Sequence, residues 1–401
     1  MYRFLENTAI SYELDVVINR AESIGMALRV VVEALYKRFG RVALLIDEYD
    51  SPVLRNLHDK EQAKVMRDAL RDFFSAIKGL DEYINFVFIT GVSSFAKAGL
   101  FSGMNNLQIM TTDESYSDIC GYTDDEIADY FSPYIEAWSK RECISFDGQR
   151  KQIKDWYNGY RFSSSNIAVY NPFSVMHALH KQRFGNFWFT SGTPTFLVDE
   201  LKRKQHDEPE VFKAIIQGEP IKVAQDSLGA FDIGLTPIPA LMFQTGYLTI
   251  VGYDKSRNTY ELGYPNNEVR QSLQLYLLSI VTSLHTETTK SMAFKLSTAL
   301  DERDIAGAVQ AIKQFFSHVP YQLYEPKEKY YHALLQMIFT VAGIAAHSEF
   351  STSHGRIDIV VELAGVIYII EVKLNKPAVE ALEQIEERTY SRASFTLYVS
   401  E

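Results

Sequence analysis

Between His354 and Leu374 the chain reads HGRIDIVVELAGVIYIIEVKL, and this stretch leaves few folding choices. Two short apolar runs, Ile357 to Leu363 and Val366 to Ile370, are rich in β-branched residues. They meet at Ala364-Gly365, the pattern of a β-hairpin. The second run has no polar atom beyond the Tyr368 hydroxyl, as expected of a central strand buried on both faces. It ends in Glu371-Val372-Lys373. Alternation along a strand puts Glu371 and Lys373 on one face, and Asp358 on the partner strand can reach that face. Two carboxylates and an ammonium at the end of a buried hairpin are costly unless something uses them. A divalent metal held by the carboxylates is one solution, and it removes their mutual repulsion. The flanking pattern predicts a helix over 328–343, a strand over 345–350, the hairpin, a helix over 378–390 with Pro377 in its first turn, and a strand over 394–399.

Glu-x-Lys alone carries little information. It occurs at Glu200, Glu325 and Glu371, and only the last closes an apolar strand with an Asp on the strand before it. A surface salt bridge at a sheet end is the bland alternative.

A chain of 401 residues is long enough for two or three domains. Its net charge of -11 argues against a surface coated in basic patches for nucleic acid, while leaving room for a local one. Two cysteines, Cys120 and Cys143, do not make a disulfide framework; they read as buried thiols in a reducing cytoplasm. The start, MYRFLENTAISYELD, lacks a basic-then-apolar signal pattern. The apolar run Leu334 to Ala346 falls short of the roughly 20 residues of a membrane span. It also contains Gln336 and Thr340, and reads as a buried helix, so no membrane association is expected.

Further upstream, residues 11–38 carry a helical pattern. Val42 to Ile46 reads as a strand followed at once by Asp47-Glu48-Tyr49-Asp50. Val65, Met66, Leu70, Phe73, Phe74 and Ile77 then recur on one helical face, and Ile84 to Ile89 forms a second strand ending in Thr90-Gly91. This is a parallel βαβ unit, and ligands of such sheets bind at the carboxyl ends of strands, where Asp47, Glu48 and Thr90 fall. The first strand has the Walker B form: the Asp orders Mg²⁺ and the adjacent Glu orients a water in nucleotide hydrolases. A strand ending in a solvated acidic turn is the alternative. The usual phosphate cradle contains Gly-Lys, a dipeptide this sequence lacks. In the middle, the aromatic cluster Trp156 to Phe162 reads as packing rather than as a base-stacking platform. Residues 241–263 read as a hairpin turning near Asp254 to Asn258, 269–316 return to helical spacing, and Pro320 and Pro326 bracket a boundary.

In order along the chain stand LLIDEYDSPV, FITGVSSFAKAGLFSGMNNL, GYTDDEI, WYNGYRF, YNPFSV, SGTPTFL, FQTGYLTI, PNNEVRQS, GRIDIVV, IYIIEVKL and ALEQIEERTY. With these the chain resembles bacterial AAA-ATPase-like proteins fused to a C-terminal PD-(D/E)XK nuclease-like domain, over nearly its whole length. The resemblance implies an α/β fold in three parts. A truncated P-loop-type ATPase core occupies 1–123, a helical and β middle region 124–320, and an αβββαβ nuclease-like module 321–401. It implies the Walker B role for Asp47 and Glu48 and a sensor-like position for Thr90 or Ser93. It gives Asp358, Glu371 and Lys373 the nuclease signature, with Gln384 as an accessory and Asp358 and Glu371 as ligands of Mg²⁺ or Mn²⁺. Glu328 on the first helix and Glu349 on the first strand are candidates for a further acidic residue. The activity implied is metal-dependent cleavage of nucleic acid, DNA in the first instance. A non-catalytic regulatory protein with vestigial sites is the alternative.

Members of such families begin with a Gly-Lys-Ser loop, and nothing before Asp47 can be that loop. The expectation is a chain truncated at its start, lacking the first strand of the ATPase sheet and exposing an edge. Phosphoryl transfer is mostly positioning and charge stabilisation, and the cradle supplies much of both. This polypeptide should therefore bind ATP poorly and hydrolyse it negligibly. Hydrolysis at an ordinary enzymatic rate, lost on Glu48→Gln, would contradict that.

Overall fold

The short β-branched runs form strands and the 3.6-residue apolar periods form helices, which gives a mixed α/β chain. The computed structural model describes residues 1–401 except 57–58, 94–99, 102–103, 105–106, 192–194, 205–206, 230–235, 320–327, 345, 353–354, 364, 374–375, 388–394 and 400–401. Helices α1 (Tyr2–Ser11) and α2 (Ile24–Phe39) lead into β1 (Val42–Ile46), and α3 (Ser51–Leu54) and α4 (Lys60–Lys78) connect it to β2 (Ile84–Ile89). The middle runs through α5 (Asp124–Glu142), α6 (Phe146–Tyr157), α7 (Pro172–Lys181), α8 (Phe187–Ser191), α9 (Thr195–Lys204) and α10 (Pro209–Gln217). It continues with β3 (Ile221–Ala224), α11 (Ile238–Gln244), β4 (Thr249–Asp254), β5 (Thr259–Gly263), α12 (Asn267–Thr282), α13 (Thr286–Asp301) and α14 (Ile305–Ser317). The last elements are α15 (Glu328–Val341), β6 (Ala346–Thr352), β7 (Gly355–Leu363), β8 (Val366–Val372), α16 (Ala378–Glu387) and β9 (Phe395–Val399).

β1 and β2 pair in parallel, as the apolar runs predict, with Leu45 beside Phe88 and Ala43 beside Phe86. Asp59 starts α4 by accepting the Glu61 and Gln62 amides, each at 3.1 Å, and Leu70, Phe73, Phe74 and Ile77 bury its apolar face. The other side of the strand pair is open: Leu45 and Phe86 are 71% and 54% exposed. The expected hairpin at 241–263 is partly corrected. β4 and β5 pair antiparallel around the predicted turn and β3 joins them, but Leu241 to Gln244 belong to helix α11. Residues 12–23 likewise fall between α1 and α2, outside any helix. Cys120 and Cys143 are exposed rather than buried; Cys143 ends α5 in a left-handed conformation at the surface. Trp156 and Tyr157 are packing residues, with Tyr157 fully buried and Trp156 stacked on Phe184 at 5.3 Å.

The last module follows its pattern closely. β6, β7, β8 and β9 lie in that order, antiparallel except for the parallel β8–β9 pair. β8 is therefore interior, and every residue of it but Ile367 is buried. The β7–β8 register sets Ile359 opposite Ile370 and Leu363 opposite Val366, with Gly365 at φ +74° in the two-residue turn. Buried Ile359, Val361, Tyr368 and Ile370 join the main core, each contributing about 1.5–3 kcal/mol. The Tyr368 hydroxyl donates to the Leu300 carbonyl at 2.8 Å and ties the sheet to α13. That core draws on residues from Leu5 to Val372, so it runs through the whole sequence order. The boundary expected between 320 and 321 lies outside the described residues. Among the described residues no helix is long and apolar enough to cross a membrane.

Glu268 is fully buried in the first turn of α12. Its Oε1 accepts the Trp188 amide at 2.8 Å. Burial pushes its carboxyl up to about 7, against the pull of Ser174 and of the Trp188 and Phe187 amides. The folded state thus holds a proton that the unfolded chain releases at lower pH, and stability falls as pH rises through that window. Glu268→Gln keeps the acceptor without the charge. It should match the wild type near pH 4 and exceed it at pH 8 by up to about 3 kcal/mol in urea unfolding. A variant less stable than wild type at pH 8 would contradict this.

Candidate active site

The hairpin brings three of the expected residues to one place. β8 continues past the Ile359–Ile370 pair alongside β9, with Glu371 opposite Tyr398 and Val372 opposite Val399. There the Val372 amide donates to Asp358 Oδ2 at 2.9 Å, so a side chain takes over where the β7–β8 ladder ends. Lys373 Nζ lies 3.6 Å from Glu371 Oε2, with the Lys373 side chain 17% exposed. Asp358 and Glu371 are within hydrogen-bonding reach of each other.

A fourth group comes from α15. His332 Nε2 lies 3.3 Å from Asp358 Oδ2, and both side chains are largely buried. Burial opposes ionisation of Asp358, but the His332 ring and the Val372 amide outweigh it and hold the carboxyl below the usual range. Glu371 is pushed the other way, first by burial and then by the negative charge of Asp358; Lys373 only partly offsets this. Two neighbouring, largely buried carboxylates cannot both ionise cheaply, which shifts Glu371 toward its protonated form.

Among the described residues no group of three or more His, Cys, Asp and Glu side chains is disposed to hold a metal by itself. The donor set still fits a divalent cation. Asp358 and Glu371 offer adjacent hard oxygen atoms with mutual repulsion to relieve, and Mg²⁺ usually takes one or two carboxylates and keeps several waters. Glu328 is exposed in the first turn of α15, and His332, one turn on, is the residue that reaches Asp358. The side chains of Gln384 and Glu349, and all of His354, lie outside the described residues.

A second acidic group sits at the end of β1. Asp47 and Glu48 are exposed. The Thr90 hydroxyl donates to Asp47, and the Glu48 amide donates to Asp47 Oδ1 at 3.0 Å. Glu48 has φ +51°, in the left-handed region. Asp50 is fully buried and accepts the Val92 amide at 3.2 Å and the Ser93 amide and hydroxyl at 2.5 Å each. The Tyr49 hydroxyl donates to the Ser93 carbonyl at 2.7 Å. A Cβ at Gly91 would stand 2.5 Å from the Tyr49 ring and 2.7 Å from Asp50 Oδ1, so only glycine fits there. Ser93 thus fastens β1 to β2 through Asp50, while Thr90 is the hydroxyl that meets Asp47.

The sequence reading missed the parts played by His332 and Asp50. For His332 the available signal was a polar residue on the apolar helix α15; for Asp50 it was the last acid of the Asp-Glu-Tyr-Asp run.

Two stretches of the chain match known families. Residues 1–101 match the family of predicted AAA-ATPases termed AAA-ATPase-like, and residues 326–396 match the PD-(D/E)XK nuclease superfamily. The chain therefore carries an AAA-ATPase-like domain at its N-terminus and a PD-(D/E)XK nuclease superfamily domain near its C-terminus. A relative in Azotobacter chroococcum mcd 1, described as an uncharacterized protein in the vnfD 5' region, is 36% identical over 360 residues. That match covers 88% of this chain and 66% of the relative. No solved structure matches.

Proposed function

We propose that this protein is a divalent-metal-dependent nuclease acting on nucleic acid, DNA in the first instance, through Asp358, Glu371 and Lys373. The observation that carries the reading is the carboxylate pair formed by Asp358 on β7 and the buried Glu371 at the end of the central strand β8, with an ammonium 3.6 Å from a Glu371 oxygen. In this reading residues 321–401 are the nuclease module, 124–320 connect it, and 1–123 are an AAA-ATPase-like core in which Asp47, Glu48 and Thr90 mark the nucleotide side.

Asp358 and Glu371 would hold Mg²⁺ or Mn²⁺, with the Val372 carbonyl as a further oxygen. Such a cation supplies an acidified water and charge stabilisation at a phosphate. The remaining roles belong to the chain. The Val372 amide and His332 fix the Asp358 carboxylate, so the ligand is set before substrate arrives. Lys373 offers a cation that can orient the attacking water or stabilise charge developing on the scissile phosphate. Gln384, on the following helix, is assigned to placing that water or the backbone. Most substrate affinity would come from phosphate contacts elsewhere, and so would survive loss of catalysis.

Asn at 358 keeps the shape without the charge, and Met at 373 keeps the stem without the cation. Asp358→Asn and Lys373→Met should each abolish cleavage of single- or double-stranded DNA, or of RNA, with Mg²⁺ or Mn²⁺ present, while the fold and substrate binding persist. Metal affinity should strengthen as pH rises through the range where Glu371 loses its proton, since binding displaces it. Intact protein that cleaves none of these substrates would favour a non-catalytic role, and equal activity in Asp358→Asn would assign the cleavage to another nuclease.

A further inference from the structure

We infer that His332 is a positioning residue for the metal site, holding the Asp358 carboxylate in the orientation that presents it to a divalent cation. The inference rests on the metal-site reading above and adds to it a group from a different element. Asp358 Oδ2 is approached by two nitrogens, the Val372 amide at 2.9 Å and His332 Nε2 at 3.3 Å. With Oδ2 approached from strand and helix together, the Asp358 carboxylate is held in one orientation beside Glu371.

The helix makes this a firm support. Tyr331, Leu334, Leu335 and Ile338 of α15 are buried in the main core, so the His332 backbone is fixed by packing. The His332 and Asp358 side chains are 14% and 15% exposed. A long surface side chain in this place would lose orientation to solvent; an imidazole on a packed helix does not. His332 Nε2 is buried and its contact with Asp358 lacks the alignment of a hydrogen bond. A buried polar atom left in that state is unfavourable unless the geometry tightens when the site is used, as catalytic hydrogen bonds commonly do. Partners that orient ligating groups typically change metal affinity 10- to 100-fold when removed.

The test is Mn²⁺ titration of the full chain, read by the electron paramagnetic resonance of free and bound ion, together with thermal unfolding. Wild type, His332→Leu, His332→Gln and Asp358→Asn are compared. His332→Leu should bind Mn²⁺ about 10- to 100-fold more weakly at an unchanged or raised melting temperature. His332→Gln, whose amide N–H can reach the same oxygen, should recover most of the loss. A His332→Leu protein that binds Mn²⁺ as tightly as wild type would overturn the role of His332 alone. So would nitrogen hyperfine coupling from a bound imidazole, which would make His332 a ligand. Wild type that binds Mn²⁺ no better than Asp358→Asn would overturn the metal site itself, and this inference with it.

Discussion

The structure of the last module turns on one unfavourable fact, the burial of Glu371 beside Asp358. Glu371 is 1% exposed on a strand flanked on both sides by others. An isolated carboxylate there would face the full penalty of desolvation, and a second carboxylate next to it adds repulsion. The surroundings mitigate this in three ways. Val372 and His332 bring nitrogens to Asp358, Lys373 brings a cation to Glu371, and Glu371 is shifted toward its protonated form. These measures balance the charge incompletely. Replacing buried ionic groups by well-packed hydrophobic ones is often neutral or stabilising, so stability alone does not explain such a cluster. A site that stores such cost is a candidate for chemistry, and hard oxygen pairs of this kind suit divalent cations.

The acidic end of β1 is built on the opposite plan. There the exposed acids, Asp47 and Glu48, stand on top of a buried one. Asp50 absorbs two amides and a hydroxyl from the segment after β2, so the two strand ends are locked together. Gly91 allows that closeness because no side chain could stand between Tyr49 and Asp50. The lock aligns Thr90 with Asp47. The two acidic groups of the chain thus differ physically: one carries its unfavourable charge in the interior, the other presents it to solvent on a well-satisfied base.

The hairpin was legible because its two signals agree. β-Branched runs flanking Ala364-Gly365 specify antiparallel pairing, and strict alternation then fixes which residues share a face with Glu371. The βαβ unit was legible for the same reason, with an amphipathic helix between two apolar strands. His332 was not, because its contact depends on how α15 packs against the sheet, a tertiary relation without a sequence period. Leu241 to Gln244 misled because a short, fully apolar run fits a strand or a buried helix equally well. Cys143 was expected inside because free cysteines favour the interior. It lies outside because the helix it terminates ends at the surface.

The central claim is that Asp358 and Glu371 together form a divalent-cation site. A crystal of the protein grown or soaked with Mn²⁺ tests it directly through anomalous scattering. The account predicts an anomalous peak bridging the two carboxylates, absent from Asp358→Asn crystals treated identically. A well-ordered site without that peak would contradict it.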